Sequence, residues 1–438
     1  MRRHLAVLAV ATAGLMTVAP SLSGQTAGME SVTLEQAIRR ATKFDPDYIQ
    51  ALGRINNAEW SRTAAITQFI IPSIQATGRF TKFSTAFFNI GTSQLSTKIV
   101  QTSLQGTLPI FHGGARIAEL NRSNADIDAS KASEVLQLYQ TALDTETDFY
   151  DVLASKDLMR VASERLRRAE RQLEAARARV ISGAAVQSDS LQLLLEVTTA
   201  RVDLLTQESQ LRVARFQLGR RVGAESAVDA LPVGGTALRS LPITEGEAVK
   251  EALATGPDFQ TAAAEERRAQ AALTVQRSGY SPQVDVFGQL TTFDEKIFPT
   301  ATVRSSAGVS VSVPIWTGGQ REVQISQARV ARDVARARRE DIERGVRRDV
   351  VQAYAAYETA RAVADLEAEA VAVATENLRV QESRYNGGAT TILDLLTAQV
   401  DLADAEAQSV QARYSTWLAL AGLEALLGRR LFDDRVEP

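Results

Sequence analysis

An internal duplication constrains this 438-residue chain more than any other feature. Thr33-Leu-Glu-Gln-Ala37, followed by Asp45-Pro46-Asp47, recurs as Thr244-Glu-Gly-Glu-Ala248, followed by Gly256-Pro257-Asp258. Leu108-Pro-Ile-Phe-His-Gly-Gly-Ala-Arg116 recurs as Val313-Pro-Ile-Trp-Thr-Gly-Gly-Gln-Arg321. Arg179, Gly183 and Asp189 recur as Arg384, Gly388 and Asp394, and Leu218-Gly-Arg-Arg221 as Leu427-Gly-Arg-Arg430. The order is kept and the shift is about 205 to 211 residues throughout. Two copies of one structural unit are expected, packed symmetrically.

Each copy changes period twice. Thr33 to Thr42 is a short amphipathic helix with a capping-box start, and Pro46 separates it from a second helix that ends near Pro72. The second copy repeats this over Glu245 to Ala254 and Asp258 to Arg277. Strict alternation follows. Ile74, Ala76, Gly78 and Phe80 are apolar or small, with Gln75, Thr77, Arg79 and Thr81 between them. Val100 to Leu108, Val284 to Leu290 and Val303 to Val313 read likewise, although Phe287 breaks the pattern. Period two makes one apolar and one polar face. Runs of about 9 to 12 residues suit tilted membrane strands. Aromatics bracket them: Phe69, Phe111, Tyr280 and Trp316 at the helix side, and Phe83, Phe87, Phe88, Phe293 and Phe298 near the loops. Such belts fit a barrel crossing two water–lipid boundaries, the soluble alternative being a small sandwich.

The third period is helical and long. From Ala115 to Ser182 there is neither glycine nor proline, enough for roughly 100 Å of helix. Val152, Met159, Leu166, Leu173 and Val180 recur at sevens, as do Val197, Leu204, Leu211 and Leu218 on the returning helix. In the second copy Leu366, Val373 and Val380 do the same. Such stripes are coiled-coil seams, and alanines beside them permit close approach.

Composition excludes several functions. Without cysteine there is no disulfide, thiolate metal site or cysteine nucleophile. The only histidines are His4 and His112, too few for a histidine-based metal site or triad. The formal net charge of −3 argues against nucleic acid as a partner. Arg2 and Arg3, the apolar run Leu5 to Val18 and the small residues Ser21-Leu22-Ser23 form an export leader, with a short membrane anchor as the other reading. No phosphate loop is present, since the paired glycines lack the following lysine. No enzyme activity and no cofactor are expected.

These features together resemble the TolC-like outer-membrane efflux family. The resemblance rests on the duplicated openings at Thr33 and Thr244, the prolines Pro72 and Pro282 before the strands, and the Pro-Ile-Phe/Trp-x-Gly-Gly exits. It also rests on the tips Arg179-Val-Ile-Ser-Gly-Ala-Ala-Val-Gln-Ser-Asp189 and Arg384-Tyr-Asn-Gly-Gly-Ala-Thr-Thr-Ile-Leu-Asp394. It implies a mainly α fold with transmembrane β: a duplicated helix–β-hairpin–long-helical-hairpin unit. Three chains would share a 12-stranded β-barrel, continued by a periplasmic α-helical barrel. Independently, four strands cannot close a barrel, and open edges are not tolerated in lipid, so oligomerisation is required. The expected organisation is a leader over 1–24, a first unit over 25–220, a joining segment over 221–244, a second unit over 245–428 and a tail over 429–438. Within the units, strands are expected over 73–84, 99–109, 282–293 and 302–314, and helical hairpins over 113–220 and 319–428.

The resemblance implies an exit duct working with a periplasmic adaptor and an inner-membrane transporter. The alternative is a periplasmic coiled-coil adaptor or structural protein of an export complex. It also implies that the tips, with Arg179, Gly183, Arg384, Gly387 and Gly388, meet the adaptor. Asp394 stands where the family places an aperture carboxylate, which in a trimer would form a cation-attracting ring. The other reading is stabilisation of a helix N-terminus. Asp189 is its mate, with the structural reading favoured. Two departures stand out: Thr397 replaces a second carboxylate and Thr390 a basic residue, so the aperture is held differently from well-known relatives. Arg79, Asp285 and Arg304 lie on the polar strand register as lumen charges, tuning selectivity or pairing across strands.

Overall fold

In a computed structural model, residues 29–183, 186–232, 239–296 and 303–432 are described. The expected leader, Phe298, the tip residues Ala184 and Ala185, and the tail beyond 432 lie outside them.

The first unit begins with β1 (Glu30–Val32), α1 (Leu34–Phe44) and α2 (Pro46–Thr67). Thr33 caps α1 with a complete capping box to Gln36, and Asp45 caps α2 through the amides of Asp47 and Tyr48. β2 (Ser73–Asn89) and β3 (Gln94–His112) form a hairpin longer than the alternation marks. Then come α3 (Ala115–Ile181), of 67 residues, and α4 (Gln187–Arg221). β4 (Val228–Ala230) pairs in parallel with β1. This small sheet lies partly inside the segment read as a joiner; three-residue strands are too short to show a period. The second unit repeats the plan: α5 (Glu245–Thr255), α6 (Pro257–Ser278), β5 (Gln283–Asp294), β6 (Arg304–Ser312), α7 (Gln320–Asn386), also of 67 residues, and α8 (Ile392–Leu427).

The four long strands form one antiparallel sheet in the order β2-β3-β5-β6. Its register puts Ile74 opposite Gly106, Leu104 opposite Leu290, and Val286 opposite Val309, so one face is mainly apolar or small, broken by Thr102 and Thr292 and ending at Lys82 and Lys98. Phe80, Leu104, Val286 and Val309 are exposed there, in a position to meet lipid. The other face carries Gln75, Gln105, Gln289 and Ser306. Phe287 interrupts it because its ring lies over Gly308, where a Cβ would come within 2.9 Å of its Cζ. The register slips between Pro109 and Phe111, since proline offers the ladder no donor. Within the chain, β2 and β6 each have one unpaired edge.

Buried side chains gather in three clusters along the helices. One packs Phe149, Tyr150 and Leu153 of α3 against Leu211 and Leu218 of α4 and against both short strands. A matching one packs Val346, Val350 and Tyr357 of α7 against Leu420, Leu423 and Leu427 of α8. The third, near the far ends, joins the two hairpins through Leu173, Leu193, Leu378, Tyr385 and Leu395. Val152, Leu173, Val197, Leu211 and Leu218 are buried as their spacing predicts. The stripe Leu366, Val373 and Val380 is exposed instead. α7 buries Tyr357, Ala364, Leu378 and Tyr385 within the chain, a heptad stripe that admits alanine and so escapes a search for large apolar residues.

Candidate functional site

The far tips are built alike. α3 and α7 each end at a glycine in the left-handed region, Gly183 (φ 76) and Gly388 (φ 73), where a side chain would be strained. Both are open to solvent, with nothing near an added Cβ, so they turn the chain without packing against anything. Gly387 is the residue that ends α7.

Beyond the turns the two tips diverge. Asp394 is the third residue of α8 and completes a capping box with Thr391. Thr391 Oγ1 accepts from the Asp394 amide at 3.3 Å, and Asp394 Oδ2 accepts from the Thr391 amide at 3.1 Å. The hydroxyls of Thr390 and Thr391 each donate to the same oxygen at 2.7 Å. The Thr390 hydroxyl first, then the hydroxyl and amide of Thr391, hold the carboxyl down at about 2. Asp394 is therefore ionised and exposed, but its nearest partners belong to its own helix start. Thr390, one of the two expected departures from the family pattern, is one of them.

Asp189 does the opposite. Its helix has no side-chain N-cap, and Asp189 Oδ2 accepts from the Tyr385 hydroxyl of the other hairpin at 3.3 Å. Arg179 Nη1 donates to the Tyr385 carbonyl at 3.2 Å, and its guanidinium lies 4.9 Å from the Tyr385 ring centre. Burial, then the neighbouring Asp189 charge, push the Tyr385 hydroxyl upward, so it remains a donor. Arg179, Tyr385 and Asp189 thus clasp the first tip to the second. Among the described residues, Arg384, the mate of Arg179, donates only to the Ala389 carbonyl of its own tip, at 3.5 Å. Residue-type reasoning passed over Tyr385. Its signal is a mismatch in the duplication, because its mate is Val180.

At the other end of the helices, Arg79, Asp285 and Arg304 all lie on the polar face of the sheet. Asp285 pairs with His112 across β3 and β5, Nε2 to Oδ1 at 2.9 Å. Arg79 and Arg304 have no ion pair among the described residues. Two further arginines stand where strands become helices. Arg116 donates to the carbonyls of Pro109 and Gln68 and covers Phe69, 4.0 Å from its ring centre. Its mate Arg321 donates to the Pro314 carbonyl at 2.9 Å and covers Tyr280 at 3.9 Å. The duplicated Gly-Gly-x-Arg exits mark the two arginines by their repetition, but both their carbonyl and their aromatic partners needed the fold. Among the described residues no group of three or more His, Asp or Glu side chains is placed to hold a metal ion, and no helix is long and apolar enough to cross a membrane.

A sheet with one mainly apolar face, continued by paired helical staves, has the plan of a membrane-channel subunit, and comparison with known proteins supplies the family. The outer membrane efflux protein family model matches residues 37–224 and 248–429, one match per copy of the duplicated unit, and the chain belongs to that family. It is 28% identical over 293 residues to the outer membrane efflux protein BepC of Brucella suis, covering 65% of this chain and 62% of that protein. It is 26% identical over 424 residues to the pyoverdine export outer membrane protein OpmQ of Pseudomonas putida, covering 91% and 86%. Its fold is similar to that of CusC, with a TM-score of 0.79 at 16% identity over 93% of this chain and 96% of that one. Members are trimeric outer-membrane channels that dock to periplasmic adaptors and inner-membrane pumps, and this chain is one of them rather than an adaptor or a purely structural coiled coil.

Proposed function

We propose that the trimer is a passive conduit whose aperture is the ring of hairpin tips and whose charge selectivity is set at two levels. Asp394 supplies three ionised carboxylates at the periplasmic end, which attract cations. Arg79, Asp285 and Arg304 line the barrel lumen, where His112 hydrogen-bonds to Asp285. The tips around Arg179, Gly183, Arg384, Gly387 and Gly388 receive the adaptor. The chain catalyses no reaction, and the free energy for export comes from the pump. OpmQ is named for pyoverdine export; here the cargo is whatever the pump hands over.

The observation that carries this reading is the pairing of one four-stranded sheet, apolar on one face and polar on the other, with two 67-residue helices whose tips are clasped together. The test is conductance of the purified trimer in planar bilayers. Cation selectivity and divalent-ion block are expected without nucleotide, and Asp394→Ala is expected to weaken both. If Asp394→Ala changes neither, the aperture ring is not made by Asp394.

A further inference from the structure

The duplication also locates the seam between neighbouring copies, which a single chain leaves open. This step rests on the homotrimer. Helix contacts run α2 on α3, α3 on α6, and α6 on α7, so α2 and α7 stand at the two ends of the row. The sheet ends in the same way, on β2 and β6. Because α2 leads into β2 and β6 leads into α7, closing the sheet from β6 to the next copy's β2 brings α7 against the next copy's α2.

The pairing there is read from its in-chain equivalent. α2 and α6 are both 22 residues long and align without a gap from Pro46 and Pro257. α3 and α7 are both 67 residues long and align from Ala115 and Gln320. The α3–α6 seam is therefore the template for the α7–α2 seam. In the template, Ala118 and Ala125 of α3 and Ala271 of α6 line a groove of about 420 Å³, and Arg268 donates to Asp126 beside it at 2.7 Å. The mate of Ala271 is Trp60, and the mates of Ala118, Ala125 and Ala129 are Val323, Val330 and Val334. All four mates are exposed in the chain: Trp60 at 72%, Val323 at 56%, Val330 at 57% and Val334 at 44%. The ion pair has no counterpart, since Arg268 and Asp126 become Asn57 and Ala331.

We infer that Trp60 of each copy docks into the Val323–Val330–Val334 stripe of its neighbour and is the main apolar anchor of the helical seam between protomers. Where the in-chain seam leaves a groove lined by three alanines among polar side chains, with a charge pair beside it, the seam between copies fills the corresponding space with an indole. A side chain of that size, largely exposed in one chain, gains most by burial against branched aliphatic neighbours.

The absence of cysteine from the sequence makes the test free of background. Trp60→Cys and Val330→Cys are combined in the full-length chain, purified in detergent and treated with a short bismaleimide. Covalent dimers and trimers are expected on a denaturing gel from the double variant and from neither single variant. Ala125→Cys with Ala271→Cys, at the template seam, is expected to link within one chain. A double variant that is trimeric by native mass spectrometry but yields no interchain product overturns the seam and leaves the trimer standing. A monomeric unsubstituted protein overturns the trimer itself. Should the cysteine variants not assemble, Trp316→Phe with Trp417→Phe leaves Trp60 as the only tryptophan, to be excited selectively over the tyrosines. A blue-shifted emission, several-fold protected from acrylamide in the trimer, supports the seam; quenching at the rate of an exposed indole overturns it.

Discussion

The tips of the two hairpins carry the same arginine, glycine and aspartate at the same spacing, yet they spend them differently. In the second tip Asp394 closes a capping box on its own helix, and Arg384 stays within its own turn. In the first tip Asp189 and Arg179 both reach out to Tyr385 of the second. The closing Leu-Gly-Arg-Arg motifs diverge as well. Arg221 meets Asp45, Asp144 and Asp148 with its side chain 20% exposed. Arg430 is 6% exposed and holds Glu146 and Glu424, both fully buried. A duplicated chain can thus keep its fold symmetric while giving one copy the contacts that join the halves. Arg430 belongs to that class, because Glu146 lies on α3 of the other unit.

That asymmetry can be broken or sharpened by substitution. Arg430→Met has the largest expected effect: two buried carboxylates lose their guanidinium, at a cost of about 3–5 kcal/mol. Arg221→Met, with wetter partners, is expected to cost less than half as much. Thermal unfolding in detergent checks both, and equal losses would remove the distinction between the copies.

The clasp comes next. Tyr385→Phe and Asp189→Asn, with the double variant, are expected to show a coupling of roughly 1–2 kcal/mol, as befits a long hydrogen bond to a carboxylate. Tyr385→Ala should raise single-channel conductance several-fold, while Val180→Ala leaves it unchanged. If both tips respond alike, the clasp is not what holds them.

Thr391→Ala removes the N-cap of α8 and is expected to cost about 1 kcal/mol, read from the unfolding midpoint. Substituting Val186, which starts α4 without a side-chain cap, should cost less.

The smallest expected effect is a null one with pH. The Asp394 carboxyl is held at about 2, below the usual carboxylate range. The capping contribution is therefore fully present above the ordinary aspartate range and is lost only as pH falls toward 2. Cation selectivity due to Asp394 should stay constant from about pH 7 to pH 4 in bilayer recordings. A decline across that interval would assign it to another group.

Much of this was legible along the chain because duplication and period are one-dimensional signals. The strand faces could be read residue by residue, since period two sets which side chains share a side of a sheet. The tip turns could be read from Gly183 and Gly388, since positive φ favours glycine. The partner of a tip residue could not. Asp189 and Asp394 look equivalent in sequence, and which one reaches the other hairpin depends on whether a tyrosine or a valine stands opposite. The in-chain seam of α7 was misplaced for a related reason. Large residues at sevens mark any apolar stripe, but the stripe buried within one chain is the one whose alanines let a neighbouring helix approach.

The sequence by itself determined the repeat, the alternation of helix and strand, and the requirement that the sheet close with other copies. Each follows from local periodicity and from the need to satisfy backbone polar groups in lipid. Only the tertiary structure decided that His112 faces Asp285, that Tyr385 bridges the tips, and that Arg430 joins the two units. Those contacts span 173 to 284 residues, and pairings at that range are fixed by packing geometry, which no local pattern encodes.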